Sequence, residues 1–567
     1  MKERIKRIIC IIVHFTLLIS VPYKTLAQNY QTVRVLLTNI NAEQRLHIGV
    51  YGSYSADGKM SFQRASEIVV SVENGAMMLY HEGMAYHAGK SLSFIRHQSA
   101  GVENGLRLQH GLQLYEGDLH LTLQDNSIRP VLHIAVEDYL KGVVPYEMNE
   151  SFPFEALKAQ AIAARTYALR NLDASMAYDV VDNTNDQVYR GHLSQNVNAA
   201  RAIQDTQGIC GVFGGSFAHC YYTASNGGQT QSPKNVWGGG DVSYLPIQDD
   251  PYDLANPESI VREAIIEKKN SEHFVGNQQL TEMLKLQLQP LLERKGYNPD
   301  IHSFYIDEVE AVNAVTPRFG GNSKVMTEME FVLYVGAQQR SRGQADQEIS
   351  LFATPEPTAA LIAHMQEQWL PAKRLHETFS VRIPVFPDAE SALQLSININ
   401  QNEILQVENL QDSFKITMRR YGHGVGMSQR GAQQMAQAHG WTYQQILSFY
   451  YPGMELKQYD TVSALATEIP AHYLSTPGPI PTATPRPTLM PVSMEVKDGQ
   501  YLVTVTGVAT NSTLNLRNQP GMAGDVVMQL FYGQELLVMG KTEDGWLQVK
   551  TDAAEGYVME RFVHVKE

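Results

Sequence analysis

The sequence predicts an α+β protein: a mixed core with a strand-rich N-terminal part, plus a separate small β-barrel at the C-terminal end. Three features say so. Short β-branched and aromatic runs broken by Gly, Asn and Asp fill residues 31–135. Helical spacing takes over at Val136. Beyond a proline-rich stretch, short strands return with turn residues at regular intervals.

The first strands are typified by "VRVLLTNI", "LHIGVYGSYS" and "LHLTLQDNSIRPVLHI". The clearest helix starts near Phe154. Ser151 is placed to cap it and Pro153 suits its first turn, while Phe154, Leu157, Ala161, Ala164 and Ala168 line one buried stripe. Alanine along that stripe lets a neighbouring backbone come close. Farther on, "GVFGGSFAH" between Cys210 and Cys220 predicts a hairpin turning at Gly214-Gly215. That register sets the cysteines nearly opposite each other, so a cross-strand disulfide and two small buried residues are both open readings. Without matched histidines the pair makes a poor zinc site.

Between 255 and 410 the pattern is less regular. "PESIVREAIIEKKNSEHFVGNQQLTEMLKLQLQPLLERKG" has helical character, whereas "SFYIDEVEAVNAV" and "TEMEFVLYVGA" read as strands. After Gly426 one helix covers Ser428 to about Ala438 and stops at Gly440. The next opens with the capping box Thr442-x-x-Gln445 and ends at Pro452-Gly453. The segment "STPGPIPTATPRPTLMP" holds six prolines and forms no core. It predicts an extended spacer reaching on the order of 50 Å at about 3.1 Å per residue.

At 567 residues the chain is too long for one core, so several domains are expected. Its hydrophobic content of 43% and charged content of 18% belong to a folded, soluble protein. A net charge of −14, spread along the chain, argues against a nucleic-acid partner and for a neutral or cationic one. Lys2, Arg4, Lys6 and Arg7 precede an apolar run from Ile8 to Val21 and a small-residue end at Thr25-Leu26-Ala27. That layout predicts a secretory signal peptide cleaved after Ala27 and a protein of the cell envelope or exterior. The run is short of the roughly 20 residues of a membrane span. Cys10 lies within it without a lipidation context.

Five stretches then carry a resemblance. They are "VEDYLKGVVPYEMNESFPFEALKAQAIAARTYAL" (136–169), "DQVYRG" (186–191), "YYTASNGGQTQSPKNVWGG" (221–239), "YLPIQDDPYD" (244–253) and "YGHGVGMSQRGAQQMAQAHGWTYQQILSFYYPG" (421–453). In this order they resemble the SpoIID/LytB family, and the tail resembles a bacterial SH3 domain (SH3b), a module attached to cell-wall enzymes. The resemblance implies a signal peptide (1–27), a β-rich N-terminal part (28–130) and a SpoIID-like core (131–460) with an unassigned insertion near 255–410. A Pro/Thr-rich linker (470–492) and the SH3b domain (493–567) follow. Some members of that family cleave peptidoglycan glycan strands as lytic transglycosylases; others enhance an amidase. Sporulation-type members carry a Cys-Asp-x-x-x-His-Cys zinc site before "QVY". Here Val181, Asn185 and Asp186 stand where those ligands would be, so neither this zinc nor another cofactor is expected. Arg430 also replaces the family's usual tyrosine.

The resemblance points to Glu147 as the catalytic acid. Breaking a glycosidic bond requires protonating the leaving oxygen, and apolar burial raises a carboxyl pKa enough for that near neutral pH. Pro145, Tyr146 and Met148 supply apolar neighbours, while the partial positive charge of the following helix N-terminus opposes the shift. One carboxyl suffices for a lytic transglycosylase, since the substrate's own N-acetyl group can stabilise the developing cation.

For substrate contacts the candidates are Arg165, Ser225, Asn226, Thr230 and His423. Each has an equally plain structural reading: Arg165 an ion pair, Gly227-Gly228 a turn, His423 a satisfied histidine among glycines that allow close backbone approach. Glu137, Glu150 and Glu155 read as surface or capping groups, and Trp546 and Tyr557 as barrel core. The expected partners are peptidoglycan glycan strands, cell-wall peptide at the SH3b domain and, in the non-catalytic reading, an amidase.

Overall fold

The computed structural model describes residues 31–99, 103–269, 278–337, 375–398, 400–461 and, with short gaps, 500–565. The leader, the proline-rich spacer and Cys10 lie outside the described residues. The chain divides into two compact units at 480/481. Among the described residues no helix is long and apolar enough to cross a membrane.

The first unit is α+β, as its sequence predicts. Its N-terminal strands are β1 (Thr32–Leu36), β2 (Arg45–Tyr51), β3 (Tyr54–Ala56), β4 (Met60–Phe62), β5 (Glu67–Glu73), β6 (Ala76–His81), β7 (Met84–Gly89), β8 (Ser91–Arg96), β9 (Gly105–Leu108), β10 (Gly117–Gln124) and β11 (Ser127–Ala135). With β12 (Val180–Val181) they make two sheets, ordered β12-β1-β11-β10-β8-β3-β4 and β7-β6-β5-β2-β9. Alternation sets the register. In β1, Val33 and Val35 are buried, and on β11 Leu132 and Ile134 are buried beside them.

Three helices follow at once: α1 (Val136–Lys141), α2 (Val144–Glu147) and α3 (Phe154–Arg170). The α3 sequence does not give a single stripe. Ala156, Leu157, Ala159, Ala161, Ile162, Ala163, Ala164 and Ala168 are all fully buried, so the helix is enclosed nearly all round. Small side chains make that enclosure feasible from several sides. Nor does Ser151 cap it: the residue before the helix is Pro153, with no side-chain cap bond. One apolar core then runs from Val33 on β1 through α3 to Tyr451, so the β-rich part and the helical part share an interior.

The hairpin β13 (Ile209–Phe213) and β14 (Ser216–Phe217) turns at Gly214-Gly215 as predicted, with φ of 58° and 82°. Its register pairs Val212 with Phe217, and the ladder ends there. The cysteines are therefore one residue out of step, and both thiols are free and buried. No disulfide joins them.

The described residues between 261 and 419 form a lobe with its own core. In α7 (Gln278–Arg294) Leu280, Leu284, Leu288 and Leu292 are buried at four-residue spacing, facing the sheet of Phe304–Pro317, Met326–Ala337 and Leu375–Pro384. The predicted helical character fails over Val261–Glu267, which is a strand paired with Ser413–Arg419. Beyond this lobe, α8 (Gln429–His439) has Ser428 at its N-cap and Gly440 at φ 65° past its end, and α9 (Tyr443–Tyr450) carries the Thr442–Gln445 capping box.

The second unit is one seven-stranded antiparallel sheet over residues 501–565, around Val503, Leu516, Val538, Leu547 and Val558. Trp546 is buried within it.

Candidate functional site

Glu147 is the last residue of α2, and distant stretches of chain converge on its carboxyl group. The Val188 N–H donates to Oε1 at 3.0 Å and the Gln429 Nε2 donates to Oε2 at 3.4 Å. The Tyr222 hydroxyl also bonds the carboxyl, and Arg190 adds a positive charge. Behind this shell lies a buried chain: Gln187 Nε2 donates to the Tyr222 hydroxyl (3.0 Å) and the Tyr139 hydroxyl donates to Gln187 Oε1 (3.1 Å). Gln187 is fully buried and also donates to the carbonyl of Ala164 on α3 at 3.3 Å.

Backbone pairing brings these residues together. The strand Tyr222–Thr223, β15 here, runs parallel to Met427–Ser428, which sets Tyr222 beside the start of α8 and Gln429. Gly426 makes the approach feasible: at φ 73°, a Cβ there would lie 2.0 Å from the Tyr221 carbonyl oxygen. Of the glycines of "GHGVG", Gly426 admits a neighbouring backbone, while Gly422 and Gly424 admit the Thr223 and Arg420 side chains.

Burial pushes the Glu147 carboxyl up in pKa and outweighs the bonds from Val188, Gln429 and Tyr222 and the Arg190 charge, which pull it down. The long helix offers little opposition, because it begins only at Phe154 and Glu147 ends a helix of its own. The residue as a whole is half-buried. None of its partners is a carboxylate. Burial favours the protonated form, which suits a group that gives up a proton and takes one back.

The other predicted contacts are placed differently. Arg165 is fully buried; it donates to Glu137 at 2.9 and 2.8 Å and to the carbonyls of Ile209 and Ile203 at 3.1 and 3.3 Å. Its donors are directed at protein acceptors, the arrangement of the ion-pair alternative. Ser225 Oγ donates to Asp253 (2.8 Å), Asn226 Nδ2 to Asp250 (2.7 Å) and Thr230 Oγ1 to the Pro246 carbonyl (2.7 Å), all buried. These three side chains bond within the protein and build the loop. His423 accepts the Val425 N–H at Nδ1 (3.0 Å) and bonds the Tyr222 backbone; burial lowers its pKa to about 4, so the ring is neutral at pH 7. It stays partly accessible.

Of the carboxylates read as surface or capping groups, Glu137 is instead the largely buried ion-pair partner of Arg165, while Glu150 and Glu155 do cap helices. Glu150 accepts from Asn198 N and Ala199 N (2.8 and 2.9 Å) at the start of the helix Val197–Asp205, and Glu155 accepts from Tyr443 N (2.9 Å) at the start of α9. At the position of the family's zinc ligands, Asp186 accepts from Val181 N and from the Tyr167 hydroxyl, both at 2.8 Å. Arg430 pairs with Glu258 at 2.7 Å.

Sequence reasoning assigned no role to Tyr222, Gln187, Gln429, Asp250 or Asp253. All five lie inside the stretches that carry the resemblance, and that membership was their only signal.

Comparisons with known proteins agree with this organisation. Residues 124–213 match the family model SpoIID, "Stage II sporulation protein", and residues 512–564 match the bacterial SH3 domain. The chain is 25% identical over 442 residues to an uncharacterized protein of Brachyspira hyodysenteriae, covering 77% of this chain and 95% of that one. It is 29% identical over 322 residues to the amidase enhancer of Bacillus subtilis, covering 56% of this chain but only 40% of that protein. With the stage II sporulation protein D of Bacillus subtilis it shares 22% identity over 347 residues, 58% of this chain and 76% of that one. The molecule therefore carries a SpoIID-family domain followed by a bacterial SH3 domain.

Proposed function

We propose that this protein is an exported peptidoglycan lytic transglycosylase in which Glu147 serves first as acid and then as base. The observation that carries the reading is the Glu147 carboxyl itself: raised in pKa by burial, carried on a half-buried residue, and without a second carboxylate among its partners. Its proton passes to the oxygen leaving C1 of N-acetylmuramic acid, and the C1–O bond breaks. The substrate's N-acetyl group supports the cation at C1. The Glu147 carboxylate then takes the proton of the C6 hydroxyl, and O6 bonds to C1, closing a 1,6-anhydro ring without consuming water. Tyr222, Gln187 and Tyr139 fix the orientation of the acid as positioning residues. The C-terminal barrel would hold the enzyme to the wall through its peptides.

Incubating purified glycan strands with the wild-type chain should release fragments ending in 1,6-anhydromuramic acid. Glu147→Gln, folded to the same thermal midpoint, should release none. Strands left intact by the wild type would contradict the reading.

The relative named as an amidase enhancer supports a second reading, a wall-bound protein that stimulates an amidase. That role predicts stimulation that Glu147→Gln leaves unchanged.

A further inference from the structure

Trp237, at the end of the short helix Pro233–Trp237, has 52% of its surface exposed. It is not isolated. Its indole lies 4.8 Å from the Tyr221 ring and 5.0 Å from the His423 ring, centroid to centroid, and Tyr221 stacks on His219 at 5.4 Å and 11°. Tyr221 and His219 are held from behind: the Tyr221 hydroxyl lies 3.2 Å from His219 Nδ1, and Arg170 donates to the same imidazole. The assembly is a rigid aromatic ledge.

Three observations say what such a ledge suits. First, its imidazoles are neutral at pH 7: burial lowers His423 to about 4 and also lowers His219. Rings without charge do not select a charged peptide. Second, the ground beyond the indole is open, because a Cβ built at Gly238, Gly239 or Gly240 meets no atom within 4 Å. Third, Tyr221 precedes Tyr222, the residue that touches Glu147. The Tyr222 backbone also bonds His423, which lies against the indole, so the ledge connects to the acid's partner. The open indole, tilted 50° and 55° to the Tyr221 and His423 rings that back it, offers an electron-rich face that matches the face of a pyranose ring, whose axial C–H groups carry weak positive charge.

We infer that Trp237, backed by Tyr221 and His423, is a sugar-stacking subsite that holds a saccharide unit of the glycan strand beside the unit being cleaved. This rests on the reading of the protein as a glycan-strand enzyme.

The test uses the full-length chain carrying Glu147→Gln, so that bound strands are not turned over, with peptide-free glycan strands titrated by calorimetry. Adding Trp237→Ala should weaken binding about tenfold, and adding Trp237→Tyr by less than about threefold, because a stacking face is retained. Thermal midpoints of both should stay within about 2 °C of the parent, as expected for a half-exposed side chain. Equal affinity in Trp237→Ala would overturn the subsite, as would a Tyr variant as weak as the Ala variant, or a parent that binds no strand. The two proposals fail separately. If the wild type releases anhydro fragments and Trp237→Ala changes neither binding nor KM, only the subsite falls. If the wild type releases none, the transglycosylase reading falls.

Discussion

Glu147 and the pair Asp250 and Asp253 are all acids surrounded by protein, yet their hydrogen bonds are arranged in opposite ways. Asp253 is fully enclosed. Its Oδ1 accepts from Ser225 Oγ at 2.8 Å, and its Oδ2 accepts from Asn226 N at 2.8 Å and from Ser428 Oγ. Asp250 accepts from the Tyr450 hydroxyl at 2.6 Å, Asn226 Nδ2 at 2.7 Å and two backbone N–H groups that start the helix Pro251–Ala255. Arg420, also fully buried, adds positive charge nearby and donates to the carbonyls of Asn226, Gln229 and Asn402. Glu147 instead accepts from one backbone N–H, from Gln429 at a longer 3.4 Å and from the Tyr222 hydroxyl, on a residue that is only half-buried. A fully enclosed acid ties segments together; an acid with a raised pKa on a half-buried residue is available for chemistry.

Substitutions can break that contrast. The largest expected effect is on turnover. Glu147→Gln should lower release of anhydro fragments by about 10²–10⁴-fold with little change in urea midpoint, the range for losing a positioned acid. Asp253→Ala should do the reverse. It strands the Ser225 and Ser428 hydroxyls and the Asn226 N–H, each unmade bond costing about 1–3 kcal/mol, so urea unfolding should show a loss of several kcal/mol.

Smaller effects sharpen the comparison through pH. Burial and the Asp253 charge raise Asp250 to about 6. A carboxyl that binds its proton more tightly folded than unfolded gives its full contribution below the unfolded pKa near 4. That contribution is lost as pH rises through about 6, and amounts to about 3 kcal/mol. Unfolding measured from pH 4 to 8 should show this decline, and Asp250→Asn should flatten it. The mildest effect belongs to Tyr222→Phe. Its hydroxyl lowers the Glu147 pKa, so removing it should move the alkaline limb of the pH–rate profile upward and change the rate by less than about tenfold.

Local chemistry was the legible part of the chain. The Thr442 capping box, the Gly440 stop and the Gly214-Gly215 turn are set by a few adjacent residues and stand as predicted. Features fixed by distant partners were not. Val261–Glu267 carries charges that suit a helix, but pairing with Ser413–Arg419 makes it a strand. The cysteine pair failed on a single residue of register. Glu147 was readable through its motif, whereas Ser225, Asn226 and Thr230 looked like sugar contacts until their buried partners came into view. Polar residues in a glycine-rich loop present the same face in sequence whether they meet a ligand or Asp250 and Asp253.

The most direct measurement is digestion of purified glycan strands by the wild-type chain in water enriched in ¹⁸O, with the new ends read by mass. The account predicts 1,6-anhydromuramyl ends free of the heavy isotope. Reducing ends carrying ¹⁸O would contradict it, because water and not the C6 hydroxyl would then have closed the reaction.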